Sequence, residues 1–288
     1  MNRLLRWTGI TIATLAVVVV IAYAAIYMIS ERTLGQTWPV QKVTLTLPTD
    51  PAAIDEGRRL ATIRGCVNAC HGKSGEGTVM LEKPGVGRIV APSIPAAFRR
   101  YDDGQVAALI RHGVRPDGRG VLIMPSEQYG ALNDDDLARI VAFVKTLPQQ
   151  PGPDMQTTIG PLGRVGIALG KFKLVPQIIA DTPPPPEASD DEGSRGRYLV
   201  RSTCGGCHGP DLKGTTTPAF VAPDLAAATA YSMDAFAKLM KDGTGVGGRQ
   251  LVWMPVEARK HLSLLNDGEV ASMHAYLRAL PQLRGQTR

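Results

Sequence analysis

Two cysteine–histidine stretches decide how this chain folds, GCVNACHG at residues 65–72 and CGGCHGP at residues 204–210. Together they contain all four cysteines of the 288-residue chain, so none is left for an ordinary structural disulfide. In the second stretch two residues separate Cys204 from Cys207, and His208 follows directly. This is the attachment signature of c-type haem, in which two cysteines form thioethers and the following histidine binds the iron.

The first stretch contains one extra residue, because three residues separate Cys66 from Cys70 before His71. An extra residue can bulge out of an irregular turn and leave the sulfurs and the imidazole near their places. We therefore expect a second covalently attached haem here, with loss of one thioether as the alternative. A zinc site would need two more ligands nearby, and a thioredoxin-like site would need a βαβ pattern. The sequence has neither feature.

The two halves of the chain repeat one pattern. Residues 132–148, LNDDDLARIVAFVKTLP, align without a gap to residues 265–281, LNDGEVASMHAYLRALP, with seven identical positions. In the two copies Asn133 and Asn266 are suited to cap a helix, and the final proline is expected to end it. The repeat predicts two domains of the same fold, each closed by a helix.

A glycine and an aromatic residue recur at equivalent positions in both halves. Gly57 and Gly196 lie on the predicted helices before the cysteines, while Phe143 and Tyr276 lie on the closing helices. A glycine that faces an aromatic ring lets two helices cross closely. We expect one such crossing in each half.

A methionine–proline pair precedes each closing helix, at Met124-Pro125 and Met254-Pro255. A lone methionine usually fills a gap in a core. Repetition at matched positions favours Met124 and Met254 as the second axial ligands of iron. The rival methionine and histidine ligands, which have no matched counterpart, are Met80, Met155, Met233, Met240, Met273, His112, His261 and His274.

The N-terminus carries an apolar run, Trp7–Ile29, preceded by Arg3 and Arg6. At about 1.5 Å per helical residue the run reaches about 35 Å, enough to cross a hydrocarbon core of about 30 Å. The positive leader favours a cytoplasmic N-terminus, so the rest of the chain would lie outside. A cleaved signal peptide is the alternative, because Ala22-Tyr23-Ala24 has the small-x-small form of a cleavage site. We expect a retained anchor.

Composition limits the remaining possibilities. Aromatic residues form only 5% of the chain, and it contains 31 glycines and 22 prolines, so each half would have a thin core without a large apolar cofactor. The net charge of +6 favours acidic protein surfaces or anionic headgroups as neighbours. No basic stretch interleaved with aromatic residues points to nucleic acid.

These patterns divide the chain into five segments. They are a transmembrane anchor at 1–30, a connector at 31–50, a first domain at 51–148, a proline-rich linker at 149–190 and a second domain at 191–283. The stretch TPPPPEASDDEGS, which begins at residue 182 in the linker, is typical of a semi-rigid, solvated spacer. IGPLGRVGIALGKFKLVPQIIA, at 159–180, is apolar with three basic residues. This segment could lie on a membrane surface, pack between the domains or dock a partner, and the sequence leaves all three alternatives open.

The stretches 51–148 and 191–281 resemble class I cytochrome c domains, and the whole resembles membrane-anchored dihaem cytochromes c. The resemblance implies an all-α fold, two tandem domains after one transmembrane helix, and two covalently attached haem c groups. The segment RHGVRPDGRG also resembles the loop that precedes the methionine in this group. By the same resemblance, Arg115 or Arg119 would lie near a haem propionate.

Cytochromes of this kind are subunits of bacterial periplasmic alcohol, aldehyde and sugar dehydrogenases, and donors to oxidases. Iron held by histidine and methionine has no vacant position, so we expect electron transfer and no catalysis. The expected donor is a periplasmic dehydrogenase or a quinol-oxidising complex, and the expected acceptor is a terminal oxidase or a soluble cytochrome. The expected location is the cytoplasmic membrane, with both haem domains in the periplasm. The alternative is a dihaem peroxidase with one open iron, against which the two matched methionines count.

Overall fold

The computed structural model describes residues 3–148, 156–184, 191–217 and 220–286, and most of these residues are helical. The helices are α1 Arg3–Leu34, α2 Pro51–Ile63, α3 Ile94–Phe98, α4 Asp103–His112, α5 Ser126–Tyr129, α6 Asp134–Lys145, α7 Pro161–Ala168, α8 Val175–Asp181, α9 Asp191–His208, α10 Met233–Asp242, α11 Met254–Lys260 and α12 Asp267–Gln286. The helical majority confirms the coarse fold prediction.

Short strands were not predicted, so the description all-α is too simple. The strands are β1 Thr78–Lys83, β2 Gly87–Ala91, β3 Thr158–Ile159, β4 Thr215–Thr216 and β5 Val221–Ala222. β1, β2 and β3 form an antiparallel sheet in that order, and β4 pairs with β5. Each small sheet follows a cysteine–histidine stretch and, as described below, positions a proline carbonyl beside the histidine.

Two buried apolar clusters form the interior of the two halves. The first is built from residues between Leu60 and Val144, and the second mainly from residues between Leu199 and Leu280. Ile63, at the end of α2, is buried in the second cluster although it belongs to the first half. The halves are therefore packed against each other and are not merely joined by a tether.

A close helix crossing organises each half, as the repeated glycine–aromatic pair predicted. A Cβ atom at Gly57 of α2 would lie 2.0 Å from a backbone oxygen of α6 and 3.1 Å from Cβ of Phe143. A Cβ atom at Gly196 of α9 would lie 2.1 Å from a backbone oxygen of α12 and 2.7 Å from Cβ of Tyr276. Only glycine leaves room for α2 to lie this close to α6 and for α9 to lie this close to α12.

Both closing helices begin at the predicted asparagines. Asn133 accepts a hydrogen bond from the N–H of Asp136 at 2.7 Å, and Asn266 accepts one from the N–H of Glu269 at 2.9 Å. Each bond satisfies one of the free N–H groups at a helix start. The predicted starts of α6 and α12 are confirmed.

The predicted end of the second closing helix is wrong. α6 stops at Lys145, but α12 continues through Pro281 to Gln286. Tertiary contacts hold the added turn, because Leu283 packs on the second cluster and Arg284 pairs with Asp224 at 2.9 Å. These contacts outweigh the N–H that proline lacks.

The connector at 31–50 lies along the first half. The N–H of Trp38 donates to the carbonyl of Gly118 at 2.8 Å, and Val43, Leu45 and Leu47 pack on the first cluster. In the described part of the chain, α1 is the one helix that is long and apolar enough to cross a membrane by length and composition.

Residues 156–184 also pack on the first half and on α1. β3 pairs with β2, α8 contacts α5, and α7 contacts α1. Residues 159–180 thus pack on the first half and on α1, where one interpretation expected packing between the two domains; membrane contact and partner docking stay predictions. Met155 and the linker residues 149–154 and 185–190 lie outside the described residues.

Candidate haem sites

The second attachment motif lies at the end of a long helix. Cys204, Cys207 and His208 occupy the last turns of α9. Cys204 is partly buried and Cys207 is exposed. This placement turns both thiols and the imidazole toward one region, as a helix does for residues three and four apart.

The extra residue of the first motif is absorbed by a bulged turn. α2 ends at Ile63, and a π-helical turn runs through Cys66–Cys70. Within that turn Asn68 adopts a left-handed conformation, φ 66°, and is exposed. The N–H of His71 still donates to the carbonyl of Cys66 at 3.0 Å. Both cysteines and the histidine thus stay in one turn despite the longer spacing.

Each motif histidine is bonded to a proline carbonyl. Nδ1 of His71 lies 2.7 Å from the carbonyl oxygen of Pro92, and Nδ1 of His208 lies 2.8 Å from that of Pro223. A carbonyl only accepts, so Nδ1 donates its proton and the Nε2 lone pair is left for a metal. Burial lowers the pKa of both histidines, which favours the neutral imidazole that binds iron.

The small sheets and two glycines position these prolines. Pro92 directly follows β2, and Pro223 directly follows β5. The N–H of Gly77 donates to the carbonyl of His71 at 2.9 Å, and that of Gly214 to the carbonyl of His208 at 2.8 Å. Both glycines have φ +95°, and a Cβ atom on either would lie within 3.0 Å of the proline segment. A side chain at either glycine would push the proline away from its histidine.

Sequence reasoning missed the proline carbonyls, although a signal is present. HGKSGEGT at 71–78 aligns without a gap to HGPDLKGT at 208–215, and an Ala-Pro pair follows in each half, at Pro92 and Pro223. The loop before that pair is longer in the first half. The ungapped alignment therefore ends before the two prolines, and their equivalence is visible only when a gap is allowed.

The four thiols suit thioethers better than metal thiolates. Burial raises the pKa of Cys66 to about 11 and that of Cys204 to about 12, and burial also raises the pKa of Cys70 and Cys207. These surroundings favour an uncharged sulfur over a free thiolate. Thioether bonds carry no charge. Among the described residues no group of three or more His, Cys, Asp and Glu side chains is arranged to hold a metal by itself.

The two matched methionines are partly buried, each against the cluster of its own half. A left-handed glycine ends the helix behind each of them, Gly113 after α4 and Gly243 after α10. A Cβ atom at Gly243 would lie 2.2 Å from Cα of Pro255. The backbone that carries Met254 is thus held in contact with the end of α10.

The rival ligands have other surroundings. Met240 and Met273 are buried in the second cluster, whereas Met80 and Met233 are exposed. Nδ1 of His261 lies 2.8 Å from the carbonyl oxygen of Thr62, and Nε2 of His274 lies 2.9 Å from that of Tyr231. His112, at the end of α4, is partly buried.

Two arginines of the segment 111–120, Arg115 and Arg119, form hydrogen bonds within that segment. Arg119 is largely exposed and pairs with Asp117 at 2.7 Å. Arg115 donates to the carbonyl of Gly120 at 3.3 Å. Their link to a propionate stays a prediction.

A buried glutamine joins the two sites. Gln128 of α5 follows Met124-Pro125 and is 5% exposed. Its Nε2 donates to the carbonyl of Ser202 at 2.9 Å, and its Oε1 accepts from the N–H of Gly206 at 2.6 Å. Gly206 lies between the two cysteines of the second motif. The methionine loop of the first half therefore contacts the attachment helix of the second.

Further polar contacts cross between the halves. Arg59 of α2 pairs with Glu269 of α12 at 2.8 Å, and Tyr198 donates to the carboxylate of Asp136. Burial is the larger cause of the raised pKa of Cys70 and of Cys207, one thiol from each motif. Glu257 of α11 raises both pKa values further. The two motifs thus share one electrostatic environment.

Comparison with known proteins identifies part of the chain. Residues 193–281 match the family model for cytochrome c. The second half is a cytochrome c domain. The match covers the second motif, Met254 and the glycine crossing at Gly196. Residues 51–148 repeat the histidine–proline bond and the glycine crossing of this cytochrome c domain.

The chain is also related to cytochrome subunits of dehydrogenases. It is 26% identical over 270 residues to the fructose dehydrogenase cytochrome subunit of Gluconobacter japonicus, which covers 81% of this chain and 55% of that protein. It is 30% identical over 181 residues to the cytochrome c subunits of alcohol dehydrogenase (quinone) from Gluconacetobacter polyoxogenes and Komagataeibacter europaeus, which covers 57% of this chain and 37% of each relative. The chain therefore spans about half, or less, of the length of these relatives. They are cytochrome subunits and not catalytic subunits, as predicted.

Proposed function

We propose that this chain is a membrane-anchored dihaem cytochrome c that carries electrons from a dehydrogenase to an acceptor. Cys66 and Cys70 would attach one haem and Cys204 and Cys207 the other. His71 with Met124 would hold the iron in the first site, and His208 with Met254 would hold it in the second.

One observation carries the proposal of two haems, namely the histidine–proline bond found in both halves. Residues 193–281 match the cytochrome c family, and Nδ1 of His208 in that domain is bonded to the carbonyl of Pro223 at 2.8 Å. His71 makes the same bond to Pro92 at 2.7 Å, supported by the same glycine geometry. A half that did not bind haem would have no need to hold a histidine in this tautomer.

The residues of each site are suited to electron transfer. When bound, haem supplies an iron centre that is oxidised and reduced by one electron. The proline carbonyl keeps the proton on Nδ1 of the histidine and fixes the ring orientation. Met124 or Met254 would supply the second ligand of the iron, and a thioether ligand favours a higher potential than a second imidazole would. An iron held by both residues would have no position left for a substrate.

The relatives support a dehydrogenase as the electron donor. They are cytochrome subunits of a fructose dehydrogenase and of quinone-linked alcohol dehydrogenases. We place α1 in the cytoplasmic membrane and both haem sites in the periplasm, with a terminal oxidase or a soluble cytochrome as the acceptor. The contacts between the halves favour a fixed relay over one domain that swings between partners.

Counting haems tests the proposal directly. A pyridine haemochrome assay on the full chain, purified from membranes, should give two haems per chain. The Cys66→Ser/Cys70→Ser variant and the Cys204→Ser/Cys207→Ser variant should each give one. One haem in the unaltered chain would contradict the proposal. Rapid peroxide turnover by the reduced protein would favour the peroxidase alternative.

A further inference from the structure

The membrane side of the first half carries a feature that the electron-transfer proposal does not use. α7 is a short helix packed against the outer end of α1, and Arg164 makes the contact. Its Nη1 lies 2.7 Å from Oε1 of Glu31 and 2.9 Å from Oγ of Ser30, and its guanidinium carbon lies 4.0 Å from the ring centroid of Tyr27. Ser30 is completely buried by this contact. α7 is thus docked on α1 by specific contacts.

The height of this contact follows from the length of α1. About 20 helical residues cross a bilayer, so a span that begins at Trp7 ends close to Tyr27. Glu31 is the first acidic residue of the chain and follows the apolar run. Tyrosine and charged residues are typical of the boundary between hydrocarbon and headgroups. α7 therefore lies at the level of the headgroups.

The side of α7 away from α1 is apolar and largely exposed in the described structure. Leu162 and Leu169 are 62% and 67% exposed. Leu162 lies in the first turn of α7 and Leu169 directly follows its last residue, so their spacing of seven places both on one side. Two exposed lysines flank this face, Lys171 just after α7 and Lys83 on the β-hairpin whose turn contacts Leu162. Exposed leucines with lysines beside them are typical of a helix that lies on an anionic membrane surface.

We propose that α7 and the tip of the β1–β2 hairpin form a second membrane contact, in which Leu162 and Leu169 enter the interfacial layer and Lys83 and Lys171 meet anionic headgroups. The inference rests on the proposed membrane anchor. It adds that the first half rests on the bilayer, because a helix docked on α1 brings its leucines to the lipid. The first haem site would then be held at a fixed height.

Photo-cross-linking of the full chain in lipid nanodiscs of phosphatidylcholine and phosphatidylglycerol tests the inference. p-Benzoylphenylalanine is placed, one position at a time, at Leu162, Leu169, Val19 and Val252. Val19 on α1 and Val252 in the second half are 65% and 81% exposed. They serve as the lipid-facing and water-facing controls. Lipid adducts are detected by mass spectrometry, so the readout is independent of haem.

We expect adducts at Val19 and at one or both leucines, several-fold above Val252. Adducts at Val19 with none at either leucine would overturn the inference and leave the anchor intact. Adducts at the leucines to another protein in native membranes, with none to lipid, would also overturn it. No adduct at Val19 would refute the anchor and, with it, this inference.

Discussion

The backbone N–H of Gly206 donates to Oε1 of Gln128 at 2.6 Å, across the contact between the two halves. A single-domain fold does not need this bond. Gln128 follows Met124 by four residues in the sequence. The residue that follows Met254 by four is Ala258, which is fully buried. Gln128 is therefore a feature of the interface, and it ties the methionine loop of one site to the attachment motif of the other.

Removing the glutamine amide should loosen this tie. Gln128→Ala removes the amide that bonds to the N–H of Gly206 and to the carbonyl of Ser202, a loss of about 1–3 kcal/mol in the free energy of unfolding. Hydrogen exchange of the Gly206 amide should become faster. Electron equilibration between the two haems, followed by pulse radiolysis, should become slower.

Neighbouring glycines of the second motif provide a matched pair for the same contact. A Cβ atom at Gly206 would lie 2.5 Å from Oε1 of Gln128, whereas one at Gly205 has no neighbour closer than 3.7 Å. Gly206→Ala should reproduce the effects of Gln128→Ala, and Gly205→Ala should not. Because both act on one contact, the double variant of Gln128 and Gly206 should be no worse than either single variant. Additive losses would refute the assignment.

The loop that carries Met254 should depend on Gly243. Gly243 and Gly247 both have positive φ, 81° and 66°, so alanine is strained at either position. Only Gly243 is crowded, since a Cβ atom there would meet the backbone of Met254-Pro255, whereas nothing lies within 4 Å of one at Gly247. Gly243→Ala should displace the methionine, weaken the charge-transfer band of the methionine–iron bond and lower the potential of one haem. Equal spectra for the two variants would contradict a role of Met254 as ligand.

The two close helix crossings should not tolerate a methyl group. Gly57→Ala and Gly196→Ala each place Cβ about 2 Å from a backbone oxygen, and such overpacking costs about 1–3 kcal/mol or more. Thermal unfolding of the haem-loaded protein should show a clear loss for both variants. The control is Gly166→Ala in α7, where nothing lies within 4 Å. This variant should be neutral or slightly more stable, because alanine favours a helix by about 0.5–1 kcal/mol.

The ion pair between the halves should make the stability depend on pH. Burial opposes ionisation of Glu269, but the Arg59 guanidinium and the N–H of Asn266 outweigh burial, and the pKa of Glu269 lies below its usual value. A lowered carboxyl pKa gives stability that is present above the unfolded pKa of about 4.3. This stability is lost as the pH falls through the lower, folded value.

Glu269→Gln should therefore cost about 1–3 kcal/mol at neutral pH, and the difference from the unaltered chain should shrink below about pH 4. Chemical denaturation at both pH values measures the two differences. Glu82→Gln, at the exposed pair of Glu82 with Arg88, is the control and should change the stability by less than about 1 kcal/mol. A constant difference at all pH values would contradict the assigned role of the ion pair.

Local patterns allowed much of this fold to be predicted. The helix starts at Asn133 and Asn266 and the crossings at Gly57 and Gly196 follow from the chemistry of caps and from the space that glycine leaves. The end of α12 could not be predicted from such local patterns, because Arg284 meets Asp224 only in the folded chain. The contacts of Gln128 and Arg164 also escaped, since each joins segments that are far apart in sequence.

The anchor contacts are unequal between the halves, and this inequality gives the molecule a direction. The connector packs on the cluster of the half that contains His71, and α7 packs on α1 and β2, whereas within the described residues the extensive contacts of α1 and α7 include none with α9, α10, α11 or α12. In a bilayer the two irons would then stand at different heights, the N-terminal one lower. A water-soluble partner would then reach the upper iron more easily than the lower one.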